Sequence, residues 1–279
     1  MNRLIIDKAG TLSMKSSLEL TMERELASLL DGKALEAARL IWDDEEIHAW
    51  QEYANTVSIR RLGFNDHGPV HMRKVAVNAM KMFNILTGQC IVPNIVKEGS
   101  ATLEDSRIAV LLASFLHDIG MSVGRHNHET SSYMMATPII DRILQAVFPD
   151  ELMRRVVIKA VALESILGHM TQHPITTLEA GIVLIADGCD MEKGRSRIPL
   201  LMNQVSRVGD IHKYSSSAIE SVSIEKGEEK PLKITVKMTA SVGFFQVEEI
   251  LMRKIMASTV KPYIELYAYV IGRDVKRYL

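Results

Sequence analysis

Residues 107–120 read RIAVLLASFLHDIG, an apolar run that ends on a histidine and an aspartate side by side. Its hydrophobic residues recur at three- and four-residue intervals, the spacing of a helix rather than the alternation of a strand. Neighbouring side chains on a helix project about 100° apart, so His117 and Asp118 cannot both face water if the run before them is buried. At least one points inward. A carboxylate taken from water without a partner is strongly disfavoured, and its pKa rises until it takes up a proton. A bound cation removes that penalty and uses both groups as ligands. By itself the dipeptide reads as readily as a histidine capping a helix end beside an aspartate that has found an arginine, so the rest of the chain decides.

Outward from this stretch the helical period continues, in LELTMERELASLL (18–30), VHMRKVAVNAMKMF (70–83) and RRVVIKAVALESIL (154–167). The chain reads as all-helical from about residue 18 to 208. Gly120 sits where a C-terminal cap belongs, and Thr176 with Glu179 forms a capping-box pattern before the apolar run IVLIA. Trp42 and Trp50 are expected as core anchors of the first sixty residues. After the polar stretch VGDIHKYSSS the period changes. LKITVKMT alternates Leu232, Ile234, Val236 and Met238 with Lys233, Thr235, Lys237 and Thr239, a half-buried strand. AIESVSI is its hairpin partner across the turn-like KGEEKP, and IELYAYV is a further alternating strand. Between these strands Val247, Ile250, Leu251 and Ile255 mark one face of a helix. The expected class is mainly α, with a helical extension over 1–60, a helical core domain over 61–210 and a small β-β-α-β module over 215–279.

The chain has 279 residues, 47% hydrophobic and 24% charged, enough to bury a generous core without a staple. Its formal net charge of -1 supplies no global field for nucleic acid or an anionic membrane. Cys90 and Cys189 lie far apart without paired spacing, which fits reduced thiols in a cytoplasmic protein, and neither resembles a metal ligand. The longest apolar stretch, 108–116, is far shorter than the roughly 18 to 20 residues that cross a bilayer. MNRLIIDKAG lacks the apolar region of a signal peptide.

The other histidines and acids change the weight of the His-Asp pair. His67 and His71 stand four residues apart at the start of a helical pattern, where they can line one face. His126 and His128 follow in GRHNHETSS, then His169 in SILGH, then Asp187 in VLIADGCD, again an aspartate at the end of an apolar helical run. A core histidine satisfied by backbone is the ordinary explanation for each alone. It does not account for so many together with two buried-type aspartates.

The order His, His-Asp, His, His, Asp along a helical chain resembles the HD-domain superfamily of metal-dependent phosphohydrolases, over about residues 67–197. HDIG followed by HETSS, ILGH and ITTLEAGIVLIADGCDMEKGRSR is similar to the members that hold two metals. Among these are hydrolases of dinucleoside polyphosphates and the HD-GYP cyclic-dinucleotide phosphodiesterases, although the GYP portion is absent here. The resemblance implies His71, His117, Asp118 and Asp187 as ligands of a first ion, with Asp118 bridging to a second ion held by His128 and His169; His126 is the alternative to His128. It places His67 where related enzymes keep a general-acid histidine, with a capping or exposed role equally open, and gives Asp118 a catalytic as well as a ligating part.

Such a centre implies two divalent transition metal ions. Imidazole and carboxylate donors without thiolate suit Mn or Fe first, with Zn, Co or Ni also compatible. Lys193, Arg195 and Arg197 after Asp187, and Arg73 and Lys74 beside His71, are candidates for substrate phosphates; solvated helix ends are the plainer explanation of the same clusters. Asp190 is a candidate to orient a ligand or an arginine. The expected partner is a small phosphorylated molecule, a nucleotide or relative, with no membrane and with nucleic acid disfavoured rather than excluded, and the short sheet favours a homodimer or higher homo-oligomer. Two other functions fit the same pattern: a di-iron oxygenase with this ligand order, and a nonenzymatic oligomeric sensor that binds metal or nucleotide.

Overall fold

A computed structural model describes residues 15–196 and 211–279. In chain order, α1 (Ser17–Ser28), α2 (Gly32–Trp42) and α3 (Glu45–Thr56) precede α4 (Pro69–Gly88), the short α5 (Asn94–Lys97) and α6 (Leu103–Leu116). Then come α7 (His128–Val147), α8 (Leu152–Gly168) and α9 (Leu178–Cys189), and α10 (Ile211–Ser217) leads into the C-terminal part.

Residues 107–116 are the last ten residues of α6, and every residue from 108 to 116 is buried. A helix apolar on all sides has to be surrounded. It is enclosed by α2, α4, α8 and α9. Thr102 and Asp105 form a capping box at its start, so its direction into the core is fixed locally before packing holds it. Helix α9 is buried from end to end as well. Trp42 belongs to the core and Trp50 packs against it, as expected.

Two local expectations are corrected. Gly120 is not a left-handed cap: it lies inside a short 3-10 turn, Ile119–Ser122, and its φ is not positive. A Cβ there would sit 2.1 Å from the His128 carbonyl oxygen, so the glycine is required by the close approach of α7. The box predicted from Thr176 and Glu179 does not form either. Thr177 is the N-cap of α9, and Glu179 is drawn away to the backbone amides of Asn94 and Ile95 and to the Ser106 hydroxyl.

The C-terminal part consists of β1 (Ile219–Lys226), β2 (Leu232–Met238), α11 (Met252–Ala257), β3 (Ile264–Val270) and the two-residue β4 (Lys276–Arg277). β1 and β2 form the expected hairpin, with Val222 opposite Val236 and Ile224 opposite Ile234. β3 returns parallel to β2 through the helical crossover, and β4 adds a strand not expected from sequence. Leu232, Ile234, Val236 and Met238 are all buried while the residues between them are only partly covered. Part of VGDIHKYSSS, expected as a polar link, is the helix α10. The module docks on α9: the Ser258 hydroxyl donates to Gly181 O at 3.1 Å and the Thr259 hydroxyl to Thr177 O at 2.8 Å.

Candidate metal centre

Four imidazoles and two carboxylates meet where several helices end. His71 stands in the first turn of α4, His117 directly follows α6, His128 opens α7, His169 directly follows α8, and Asp187 lies in the last turn of α9. All four histidines, Asp118 and Asp187 are buried.

Hydrogen bonds at the outer nitrogens set the direction of each ring. His117 Nδ1 donates to Ser114 O at 3.0 Å, His128 Nδ1 to Arg125 O at 3.0 Å and His169 Nδ1 to Ile166 O at 2.6 Å. In each case the acceptor is the carbonyl three residues back, and for His117 and His169 it is among the last carbonyls of a helix, which lack an intrahelical partner. His71 Nδ1 is 2.6 Å from Asp190 Oδ2, the orienting role expected for Asp190. A carbonyl or carboxylate oxygen only accepts, so the proton sits on Nδ1 and each Nε2 presents a lone pair to the centre.

These lone pairs converge on one carboxylate. Asp118 Oδ2 lies 3.2 Å from His71 Nε2 and 3.5 Å from His117 Nε2, while Oδ1 lies 3.1 Å from His128 Nε2 and 3.3 Å from His169 Nε2. Within each pair the two Nε2 atoms are 3.2 Å apart. Asp187 completes the first group, its Oδ1 3.3 Å from His71 Nε2 and 3.9 Å from His117 Nε2. Two donors bound to one ion at about 2.1 Å stand roughly 3.0 Å apart at a right angle and about 3.4 Å apart at a tetrahedral one. The spacings therefore fit ligand shells. Asp118 Oδ1 is also a buried oxygen without a hydrogen bond, which a cation would satisfy.

Protons fill the gap poorly. Burial, together with the neighbouring imidazoles, outweighs the attraction of Asp118 and pushes His117 down to about 3, and burial lowers His169 too. Burial opposes the charge of Asp187, but the Lys254 ammonium beside it and the imidazoles of His71 and His117 hold its carboxyl well below the usual range. Neutral imidazoles around ionised carboxylates are the protonation state that divalent ions bind.

Of the other predicted residues, His128 is buried beside Asp118, whereas His126 is exposed. His67 is buried next to the centre, its ring centroid 5.7 Å from that of His71 and its Nδ1 2.7 Å from Asn65 O. Arg73 is a correction. Its guanidinium is buried on the opposite side of α4, donating to Glu23 at 2.8 Å, to Gln51 Oε1 at 3.2 Å and to Pro69 O at 3.2 Å, and it does not face the centre. Lys74 turns to Glu192, 3.6 Å away. Lys193 is exposed and pairs with Glu220 of β1 at 2.7 Å. The Arg195 side chain and Arg197 lie outside the described residues.

Two residues were not anticipated. Lys254 of α11 forms an ion pair with Asp187 Oδ2 and donates to His169 O at 2.9 Å. A signal exists: Lys254 falls seven residues after Val247, on the apolar stripe with Leu251 and Ile255, where a lysine is out of place. Glu129, next to His128, is buried with Oε2 3.4 Å from His128 Nδ1.

The HD domain family model matches residues 70–192, the segment that carries all six converging residues from His71 to Asp187. The chain belongs to the HD-domain superfamily, a class in which metal-dependent hydrolysis is typical, and its buried His/Asp groups are consistent with a divalent metal. It is similar to an uncharacterized protein of Methanocaldococcus jannaschii, MJ1020, with 38% identity over 236 residues, covering 83% of this chain and 89% of that protein. No solved structure matches the chain. Among the described residues no helix is long and apolar enough to cross a membrane.

Proposed function

We propose that the protein is a two-metal phosphohydrolase acting on a small phosphoester, a nucleotide or a relative of one. The observation that carries this is the division of Asp118, one oxygen toward His71 and His117 and the other toward His128 and His169. A carboxylate shared in that way would serve two ions at once. His71, His117, Asp118 and Asp187 would hold one ion, and His128, His169 and Asp118 the other. Mixed nitrogen and oxygen donors favour Mn or Fe.

Once bound, such ions would supply a water of lowered pKa and would stabilise charge on the attacking and leaving oxygens of a phosphoester. The chain supplies the rest. The i−3 carbonyls and Asp190 accept at Nδ1 and so aim all four Nε2 atoms at the centre, and the buried walls formed by α6 and α9 exclude bulk water from the donors. To His67, which precedes α4 with its ring 5.7 Å from that of His71, we assign the role of handing a proton to a leaving oxygen. No serine or cysteine nucleophile is required; burial pushes the Cys189 thiol far above its ordinary value, the wrong direction for a thiolate.

The test is to strip the protein of metal, restore Mn2+ or Fe2+, and follow release of product from nucleotides, cyclic dinucleotides, dinucleoside polyphosphates and bis(p-nitrophenyl) phosphate. Hydrolysis of at least one that vanishes with chelator and returns with metal is the expected result. Absence of turnover on every substrate with metal fully bound would contradict the reading.

A further inference from the structure

Lys254 comes from the C-terminal module yet reaches the centre that the helical core builds. Its ammonium bridges two of the converging residues, pairing with Asp187 Oδ2 and donating to the backbone carbonyl of His169 at 2.9 Å. The two oxygens of Asp187 are thereby divided: Oδ2 faces Lys254, and Oδ1 faces His71 Nε2 at 3.3 Å. The path of the lysine stem is built in. A Cβ on Gly188, the residue after Asp187, would stand 3.0 Å from Lys254 Cδ and 3.3 Å from Leu251 Cδ1, so the glycine in α9 leaves the room through which α11 passes its side chain.

We infer that Lys254 is a positioning residue of the metal centre, lent by the C-terminal module, which holds Asp187 so that Oδ1 alone is offered to the ion at His71 and His117. This rests on reading the cluster as a metal centre. A carboxylate free to rotate can present either oxygen or both; one pinned through Oδ2 is fixed as a single donor, and its orientation then depends on the docking of α11 on α9. The ammonium does not take the ion's place, because it lies on the other oxygen from the imidazoles. The module is accordingly part of the site.

The experiment is titration of the metal-free, full-length protein with Mn2+, followed by electron paramagnetic resonance, on the wild type and on Lys254→Met, Lys254→Arg and Asp187→Asn. In the wild type two ions bind. In Lys254→Met one of them weakens by about 10–100-fold, as for loss of a ligand's hydrogen-bonding partner. Asp187→Asn affects that same ion, and Lys254→Arg recovers part of the affinity. Unchanged binding in Lys254→Met overturns the inference while leaving the metal centre intact, and so does tighter binding, which would make the ammonium a competitor. A wild type that takes up no Mn2+ removes both. Circular dichroism checks the fold, and if Lys254→Met does not fold, Lys254→Leu, which likewise removes the N–H donors, is read by the same criterion.

Discussion

Two buried clusters of histidine and acid lie in the same helical core, and they are finished in opposite ways. Around α1 and α3, Glu19, His48 and Glu52 bring ligand-type atoms together as closely as the candidate centre does. There the cation is part of the protein. The Arg73 guanidinium donates to Glu23 and Gln51 and lies 3.5 Å from Glu19, while His48 Nε2 is 3.1 Å from Glu19 Oε1. Burial opposes the charge of Glu19, but His48, the Ser16 amide and Arg73 outweigh it and bring the carboxyl down to about 2. Around Asp118 four Nε2 atoms and two carboxylates converge, and among the described residues the cation that meets them, Lys254, stands at the rim on Asp187. Residue types therefore do not separate a structural cluster from a functional one. What separates them is whether the fold supplies a positive charge among the converging donors themselves.

The largest effect expected from this contrast is on the centre. Asp118→Ala should lower metal-dependent hydrolysis by about 10^3-fold, since shared-carboxylate loss removes several kcal/mol of charge stabilisation, and should abolish the rise in melting temperature that Mn2+ gives the wild type. Steady-state rates and thermal melts check both. Arg73→Ala should do the reverse, destabilising the fold by about 3–5 kcal/mol in urea titrations with or without Mn2+, because it takes the buried guanidinium away from Glu19 and Glu23 at once, while the rate per folded molecule holds. If Arg73→Ala instead removed activity without loss of stability, the two clusters would not be distinct in kind.

Smaller effects sharpen the contrast. Asp190→Asn keeps the packing but weakens the set of His71, and should cost about 10–100-fold in Mn2+ affinity by calorimetry. The same substitution strategy at Glu52 should leave Mn2+ affinity as it is. Smallest is the pH dependence of the metal-free protein. His117 is held at about 3 in the fold against 6.5 as the ordinary value, so the unfolded chain binds the extra proton between those limits. That contribution to stability is complete above pH 6.5 and is lost as pH falls toward 3, by roughly 1 kcal/mol per pH unit for each proton taken up. Chemical denaturation at pH 7, 6 and 5 should show stability falling in that order; stability rising toward pH 5 would contradict the neutral state of the buried imidazoles.

Much of this was legible in the sequence because the signals were periodic. The helix through residues 108–116, the alternation of β2 and the placing of His117, Asp118, His169 and Asp187 at the ends of apolar runs are short-range patterns that burial alone explains. Arg73 misled because it is a neighbour of His71 in the chain. Two residues on, it points about 200° round α4, and its partners Glu19 and Glu23 lie some fifty positions upstream, where no local pattern links them. Glu179 was misassigned for the same reason, its true partners being Asn94, Ile95 and Ser106. Lys254 lay within reach of a stricter reading, since it breaks the stripe of Val247, Leu251 and Ile255, but its target in α9 is set by the docking of the module.

The claim that the fold leaves its positive charge to be supplied from outside is tested most directly by anomalous diffraction at the manganese edge, from crystals grown with Mn2+. Two peaks are expected, one on each side of the Asp118 carboxylate, the first against His71, His117 and Asp187 and the second against His128 and His169. Density without any anomalous peak among these six residues, at saturating Mn2+, would contradict it.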